Sequence, residues 1–262
     1  MTITTLDGLV AGAKTKLPFY KASATAKAAN TFQSLWKVGT LPLAGETPPT
    51  GAGAAPTSAT LGSFNFTEVG GETVAYVARA LLKMATLGEL ILYDRLVHTS
   101  GLSGTSTSEQ AVNSAALTRS TDGVGVEMFI ESYAATGATA STCTIRYTNQ
   151  AGTAGRISSF AFQATPVVGQ MQLCPLQAGD TGVKSVQSVT LSASTGTAGD
   201  FGITLAKRLM DLSVDAVNNS KLYSPFDVGL PAITPSACLA LMVYATATNT
   251  GILSGSLDII QG

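Results

Sequence analysis

The stretch Val124-Gly125-Val126-Glu127-Met128-Phe129-Ile130-Glu131 decides the fold class. Val124, Val126, Met128 and Ile130 share one parity, while Glu127, Phe129 and Glu131 share the other. Successive side chains of a strand leave opposite sides of the sheet, so this period of two predicts a strand with one buried face. Phe201, Ile203 and Leu205 alternate in the same way against Gly202, Thr204 and Ala206.

Two further runs have no polar face. Cys238-Leu239-Ala240-Leu241-Met242-Val243-Tyr244 is apolar on both parities, which suits a central strand covered by a second sheet on one side and by a loop or a neighbouring subunit on the other. Leu90 to Val97 is similar but interrupted by Asp94 and Arg95, whose partners are expected across the ladder. Shorter β-type runs near 74–80, 142–148, 156–162, 169–173, 184–193 and 252–260 complete a pattern of short strands separated by Gly, Asn, Ser and Thr. The tetrapeptide Gly-Thr-Ala-Gly occurs at Gly152–Gly155 and again at Gly196–Gly199. Both copies read as hairpin connections, because glycine reaches positive φ without steric cost.

Residues 1–60 differ from this pattern. They end in Leu41-Pro42-Leu43-Ala44-Gly45-Glu46-Thr47-Pro48-Pro49-Thr50-Gly51-Ala52-Gly53-Ala54-Ala55-Pro56, whose prolines lack amide donors and favour an extended path. Upstream, Ala28, Phe32, Leu35 and Trp36 recur at i, i+4, i+7 and i+8, which predicts a short helix within Ala22–Lys37. The expected architecture is therefore all-β: a jelly-roll-like β-sandwich over 61–262, preceded by an extended N-terminal arm and strap over 1–60. Phe19, Tyr20, Phe32 and Trp36 of the arm are the candidate partner-binding residues, since large aromatics anchor interfaces. The alternative is that they fold back onto the arm's own domain.

Composition narrows the functional classes. Only 12% of the 262 residues are charged, against roughly 25% in an ordinary soluble domain, so the solvated surface must be largely uncharged. A formal net charge of −1 offers no excess cation to displace counterions from phosphates, and nucleic acid is not an expected partner. The longest apolar stretch, Ala237 to Ala245, is far shorter than the roughly 20 residues of a spanning helix, so no membrane is expected. The opening Met1-Thr2-Ile3-Thr4-Thr5 has no basic region followed by an apolar one, which fits synthesis in the cytoplasm. Cys143, Cys174 and Cys238, odd in number and set among apolar residues, read as reduced core side chains, with one disulfide plus a spare thiol as the alternative.

Candidate chemistry is sparse. His98 is the sole histidine, which removes most triads and metalloenzymes from consideration. Its setting beside Thr99-Ser100-Gly101 suits a surface or hydrogen-bonded role. No His-Glu-x-x-His, Cys-x-x-Cys or EF-hand pattern is present, and no glycine precedes a lysine as a phosphate loop requires, so no metal and no cofactor are expected. Glu127 and Glu131, four residues apart on one strand, are separated by roughly 13 Å, beyond the reach of a glycosidase pair.

Four segments carry a resemblance: Leu17-Pro18-Phe19-Tyr20-Lys21-Ala22-Ser23, Pro48-Pro49-Thr50-Gly51-Ala52-Gly53, Leu92-Tyr93-Asp94-Arg95-Leu96-Val97-His98, and Gln177-Ala178-Gly179-Asp180-Thr181-Gly182-Val183 with Ser185-Val186-Gln187-Ser188-Val189. Through them the chain resembles virion structural proteins of tailed bacteriophages. The resemblance implies a non-enzymatic component of the virion, such as a capsid decoration or cement protein. It also implies a homo-oligomer, a trimer by expectation, whose partners are the major capsid protein or other virion proteins. A tail or baseplate component is the runner-up, and a receptor- or carbohydrate-binding module is the alternative from a different class. The segments name a setting and no catalytic residue.

Overall fold

A computed structural model describes residues 6–22, 28–67, 75–248 and 252–261. The fold is all-β, a layered sandwich of antiparallel sheets. In chain order the elements are α1 (Leu6–Ala11), β1 (Ala13–Ala22), β2 (Thr31–Ser34), β3 (Thr40–Leu41), β4 (Ala75–Met84), β5 (Gly88–His98), β6 (Gln110–Ala111), β7 (Val126–Ala134) and β8 (Thr142–Asn149). There follow β9 (Arg156–Ala161), β10 (Gln170–Leu173), β11 (Val183–Leu191), β12 (Asp200–Val214), β13 (Ser220–Tyr223), α2 (Pro225–Val228), β14 (Ala232–Ile233), β15 (Leu239–Ala245) and β16 (Ile252–Gln261).

Among the described residues the strands form three sheets. A closed barrel, β10-β2-β15-β5-β12-β7, lies at the centre, with a sheet of order β13-β4-β16-β1-β3 on one side and a four-stranded sheet, β6-β11-β8-β9, on the other. The short β14 joins the first of these outer sheets by pairing with β4. The two long strands β5 and β12 pair over most of their length and reach both outer sheets. Leu90 and Leu92 of β5 and Met210 and Leu212 of β12 pack under the six-stranded sheet, against Leu17, Val77, Leu82 and Leu257. Farther along the same strands, Leu96, Val97, Phe201, Ile203 and Leu205 pack under the four-stranded sheet, against Cys143, Ile145, Val186 and Val189. Register shifts beside Ala206 and Met210 in the β12–β5 ladder mark bulges, which bend and twist the paired strands.

Barrel closure explains why alternation along β7 does not end in a polar face. Val126, Met128 and Ile130 do face the four-stranded sheet, as their period predicts. Phe129, on the other parity, points into the barrel with Ile91, Tyr93, Met171, Ala206 and Met242. β15 is explained in the same way: Leu239, Leu241 and Val243 join the core under the six-stranded sheet, and Met242 joins the barrel interior. Both its faces are covered by this chain, so its apolar run is no evidence for a subunit contact.

The N-terminal region departs from the expected arm. β1 pairs with β16 over its whole length, from Ala13↔Gln261 to Ala22↔Ile252, and buries Leu17 and Phe19 in the core. β2 is a barrel strand between β10 and β15. The expected helix is absent from the described part of its range, because Thr31–Ser34 gain barrel partners, and a tertiary ladder outweighs a weak helical period. Positions 23–27 of that range lie outside the described residues. The strap turns at Thr50–Gly53 and packs against its own chain: Ala54 and His98 exchange backbone hydrogen bonds, Ser100 N–H donates to Pro49 O, and Arg119 reaches Pro56 O at 2.9 Å. Lys21, buried beneath its start, donates to Val38 O and Pro42 O at 2.7 Å each.

Only one Gly-Thr-Ala-Gly copy makes a hairpin. Gly152–Gly155 joins β8 to β9, which pair from Thr142↔Ala161 to Tyr147↔Arg156. Gly196–Gly199 instead carries the chain from β11 in the four-stranded sheet to β12 in the barrel. Its glycines are still required for their backbone, with φ of 94° and 55°. Asp94 and Arg95 also depart from expectation, since neither pairs across its own ladder.

Candidate functional site

The densest group of chemistry-bearing side chains lies where β5 leaves the barrel. Asp94 and Arg95 are neighbours on a strand, so they leave it on opposite sides and serve different partners. Arg95 Nη2 donates to Glu131 Oε2 of β7 at 2.6 Å and to Tyr133 Oη at 3.1 Å. Its Nε donates to His98 Nδ1 at 3.0 Å, and its guanidinium stands 4.7 Å from the Trp36 ring. Thr204 Oγ1 of β12 adds a 2.6 Å hydrogen bond to the same Glu131 oxygen. On the other side, Arg119 clasps Asp94 with two hydrogen bonds, Nε to Oδ2 at 2.9 Å and Nη2 to Oδ1 at 2.8 Å, while Cys238 N–H donates to Oδ1 at 2.9 Å.

Both ion pairs are buried; the Arg95 and Glu131 side chains are 3% and 0% exposed. Burial alone would raise the Glu131 pKa, but the adjacent Arg95 charge and the hydrogen bonds from Arg95 and Thr204 bring it below the ordinary value. Burial, reinforced by the Arg95 charge, lowers His98 to about 2. The ring is therefore neutral, and with Nδ1 accepting from Arg95 its proton sits on Nε2. Burial raises the Cys143 thiol to about 12 and Cys238 to about 11, far from a reactive thiolate. All three cysteines are free and buried.

Chemically, this arrangement holds strands together. Proton transfer at neutral pH needs a group that titrates near 7 and can reach a substrate. Glu131 is ionised and sealed, and His98 stays neutral. The network ties β5, β7 and β12 to Trp36, just upstream of the strap, whose indole meets His98 edge-on at 5.4 Å and donates to the strap's Glu46 O at 2.9 Å. The strap can close over that indole because Gly45 has no side chain, where a Cβ would fall onto the ring. A cleft of about 380 Å³ remains above it, bordered by Pro48, Pro49, Leu61 and His98. Among the described residues no group of His, Cys, Asp and Glu could hold a metal ion. No helix there is long and apolar enough to cross a membrane.

The four candidate aromatics do not form one patch. Phe19 is 2% exposed and meets Phe64 edge-on at 6.2 Å, and Trp36 is 1% exposed. Phe32 is half-buried between Phe129 and Tyr244, with ring centroids at 5.9 and 5.0 Å. Only Tyr20 reaches the surface. The first three serve this chain's own core, which is the physical reason they offer a partner little. The ion pairs had a sequence signal, charges lodged in apolar runs, but their partners lie 25 and 36 residues away and carry no local mark. Phe226, 93% exposed at the molecule's edge, had no signal.

No protein-family model matches the chain, and no curated protein matches it in sequence. Solved structures of infectious bursal disease virus align along it at low similarity. The structure of the Gt strain matches with 10% identity and a TM-score of 0.19, covering 95% of this chain and 81% of that one. The VP2 subviral particle matches with 9% identity and a TM-score of 0.21, covering 96% and 81%. At these scores the likeness carries no argument about what this chain does.

Proposed function

We propose that this chain is a structural component of a virion, and specifically a capsid decoration or cement protein of a tailed bacteriophage. It would act as a homo-oligomer bound to the major capsid protein. The observation that carries the reading is where the fold spends its charge. Asp94, Arg95, Arg119 and Glu131 are sealed inside as ion pairs, in a chain with only 12% charged residues. The exterior is left rich in uncharged groups and displays Leu43, Leu222 and Phe226 at 61%, 60% and 93% exposure. Such a surface gives up little ionic hydration on contact, and many weak contacts on a lattice add up.

The sugar-binding alternative loses its main support, because the chain's one indole, Trp36, is buried. A tail or baseplate location shares the same physical basis as the head. Quantitative mass spectrometry of separated heads and tails tests the choice: hundreds of copies on heads are expected. A few copies confined to tails would move the protein there, and absence from both would end the virion reading.

A further inference from the structure

The edge of the six-stranded sheet that carries β13 combines open backbone with exposed apolar side chains. β13 pairs with β4 from Ser220↔Lys83 to Tyr223↔Ala80, and among the described residues no strand pairs on its other side. Leu222 is 60% exposed and lies opposite Leu81, itself 37% exposed, so an apolar row runs to the edge and stops there. β14 pairs with a nearby stretch of β4, at Tyr76 and Ala75, which places α2 on this same edge. α2 is held firmly: Ser224 and Asp227 form a capping box, Gly229 closes the helix at φ 71°, and Val228 is buried in the core. Phe226 is therefore presented on a fixed turn with 93% of its surface in water. Native edges are usually blunted by charge or covered, and large exposed apolar groups mark contacts.

We propose that this edge docks onto the same edge of a second copy of the chain, the two β13 strands pairing antiparallel about Leu222. The pattern of side chains is self-complementary in that register. Leu222 faces Leu222 of the second copy, which extends the row to four leucines. Lys221 faces Tyr223 of the second copy, repeating a contact already made within the chain, where Lys221 Nζ lies 5.0 Å from the Tyr223 ring. The strand's one charge thus avoids its like. Past the strand ends, Phe226 of each copy comes beside the turn at Val217–Asn218 of the other, and Val217 is 51% exposed. A two-fold arrangement matches Val217, ahead of the strand, with Phe226, beyond it, and closes the interface, whereas a foreign strand has no reason to carry this spacing. Four residues of backbone pairing make a small contact, so Phe226 acts as its anchor.

The proposal deepens the homo-oligomer part of the virion reading, and its test uses isolated full-length protein. In the proposed register the two Leu222 Cα atoms lie about 4.5–5.5 Å apart, within the disulfide range of about 4.4–6.8 Å. Leu222→Cys is expected to oxidise readily to a covalent dimer. Ser220→Cys, whose two copies would stand roughly 14 Å apart, should form no covalent dimer under the same oxidant. Sedimentation equilibrium should show dimers of the unaltered protein, with Phe226→Asp weakening association by about tenfold or more at unchanged circular dichroism. Equal cross-linking at both positions, or a monomeric unaltered protein, overturns the interface. Dimers that fail to bind heads would instead remove the virion reading and leave the interface standing.

Discussion

Arg95 and Glu131 show how a buried ion pair differs from a stabilising one. Burying both charges costs several kcal/mol each, and the mutual attraction at 2.6 Å with hydrogen bonds from Thr204 and Tyr133 returns that cost only while both partners are present. Glu131→Leu should therefore lower unfolding free energy by about 3–5 kcal/mol, while Arg95→Met combined with Glu131→Leu should recover most of the loss. Urea titrations of Glu131→Leu and of the double variant check this; equal losses in the two would refute it. His98 has a pH signature of its own. Its folded pKa of about 2 lies below the ordinary 6.5, so between those values the unfolded chain binds the extra proton. Stability is then full above pH 6.5 and falls as pH drops, by about 1.4 kcal/mol per unit from this residue. Comparing the unaltered protein with His98→Gln between pH 6 and 4 should show a shallower decline in the variant. A charge inside an apolar run was readable from residue order, as at Asp94 and Arg95. What each one meets was not, since pairing across the fold leaves no periodic trace.

β1 and the strap test the idea of a separate arm most directly. A dispensable arm would leave 61–262 able to fold alone, but β1 supplies the full-length partner of β16, and Phe19 fills the core beside Phe64. The chain lacking residues 1–60 is expected to lose cooperative unfolding altogether, checked by circular dichroism and urea titration; a sharp transition in that variant would restore the arm. The removal would also strip the barrel of β2 and leave Arg119 without Pro56 O. Most strands were legible because period-two alternation and Gly-rich breaks are local: the runs near 142–148, 156–162 and 252–260 became β8, β9 and β16 with ends shifted by two residues or fewer. Misreadings fell where tertiary context decides. Phe32 to Trp36 matched a helical period over too few residues to resist a barrel ladder, and the identical Gly-Thr-Ala-Gly tetrapeptides differ in role because one is followed by a strand of the same sheet and the other is not.

Two cores that share their strands should not melt independently. One lies under the six-stranded sheet and the other under the four-stranded sheet, yet β5 and β12 contribute Leu90, Leu92, Met210 and Leu212 to the first and Leu96, Val97, Phe201 and Leu205 to the second. Between them the barrel interior and the Arg95 network fix both strands to β7. Opening either core therefore releases one half of each long strand and the hydrogen bonds that hold the other half in register. This coupling predicts a single transition. Leu82→Ala in the first core and Leu191→Ala in the second, both at side chains 1% exposed, should each cost about 2–5 kcal/mol. Each should also move Trp36 fluorescence and far-ultraviolet circular dichroism by the same amount. If Leu191→Ala displaced the circular dichroism curve and left the Trp36 curve in place, the halves would be separate folding units joined by continuous strands.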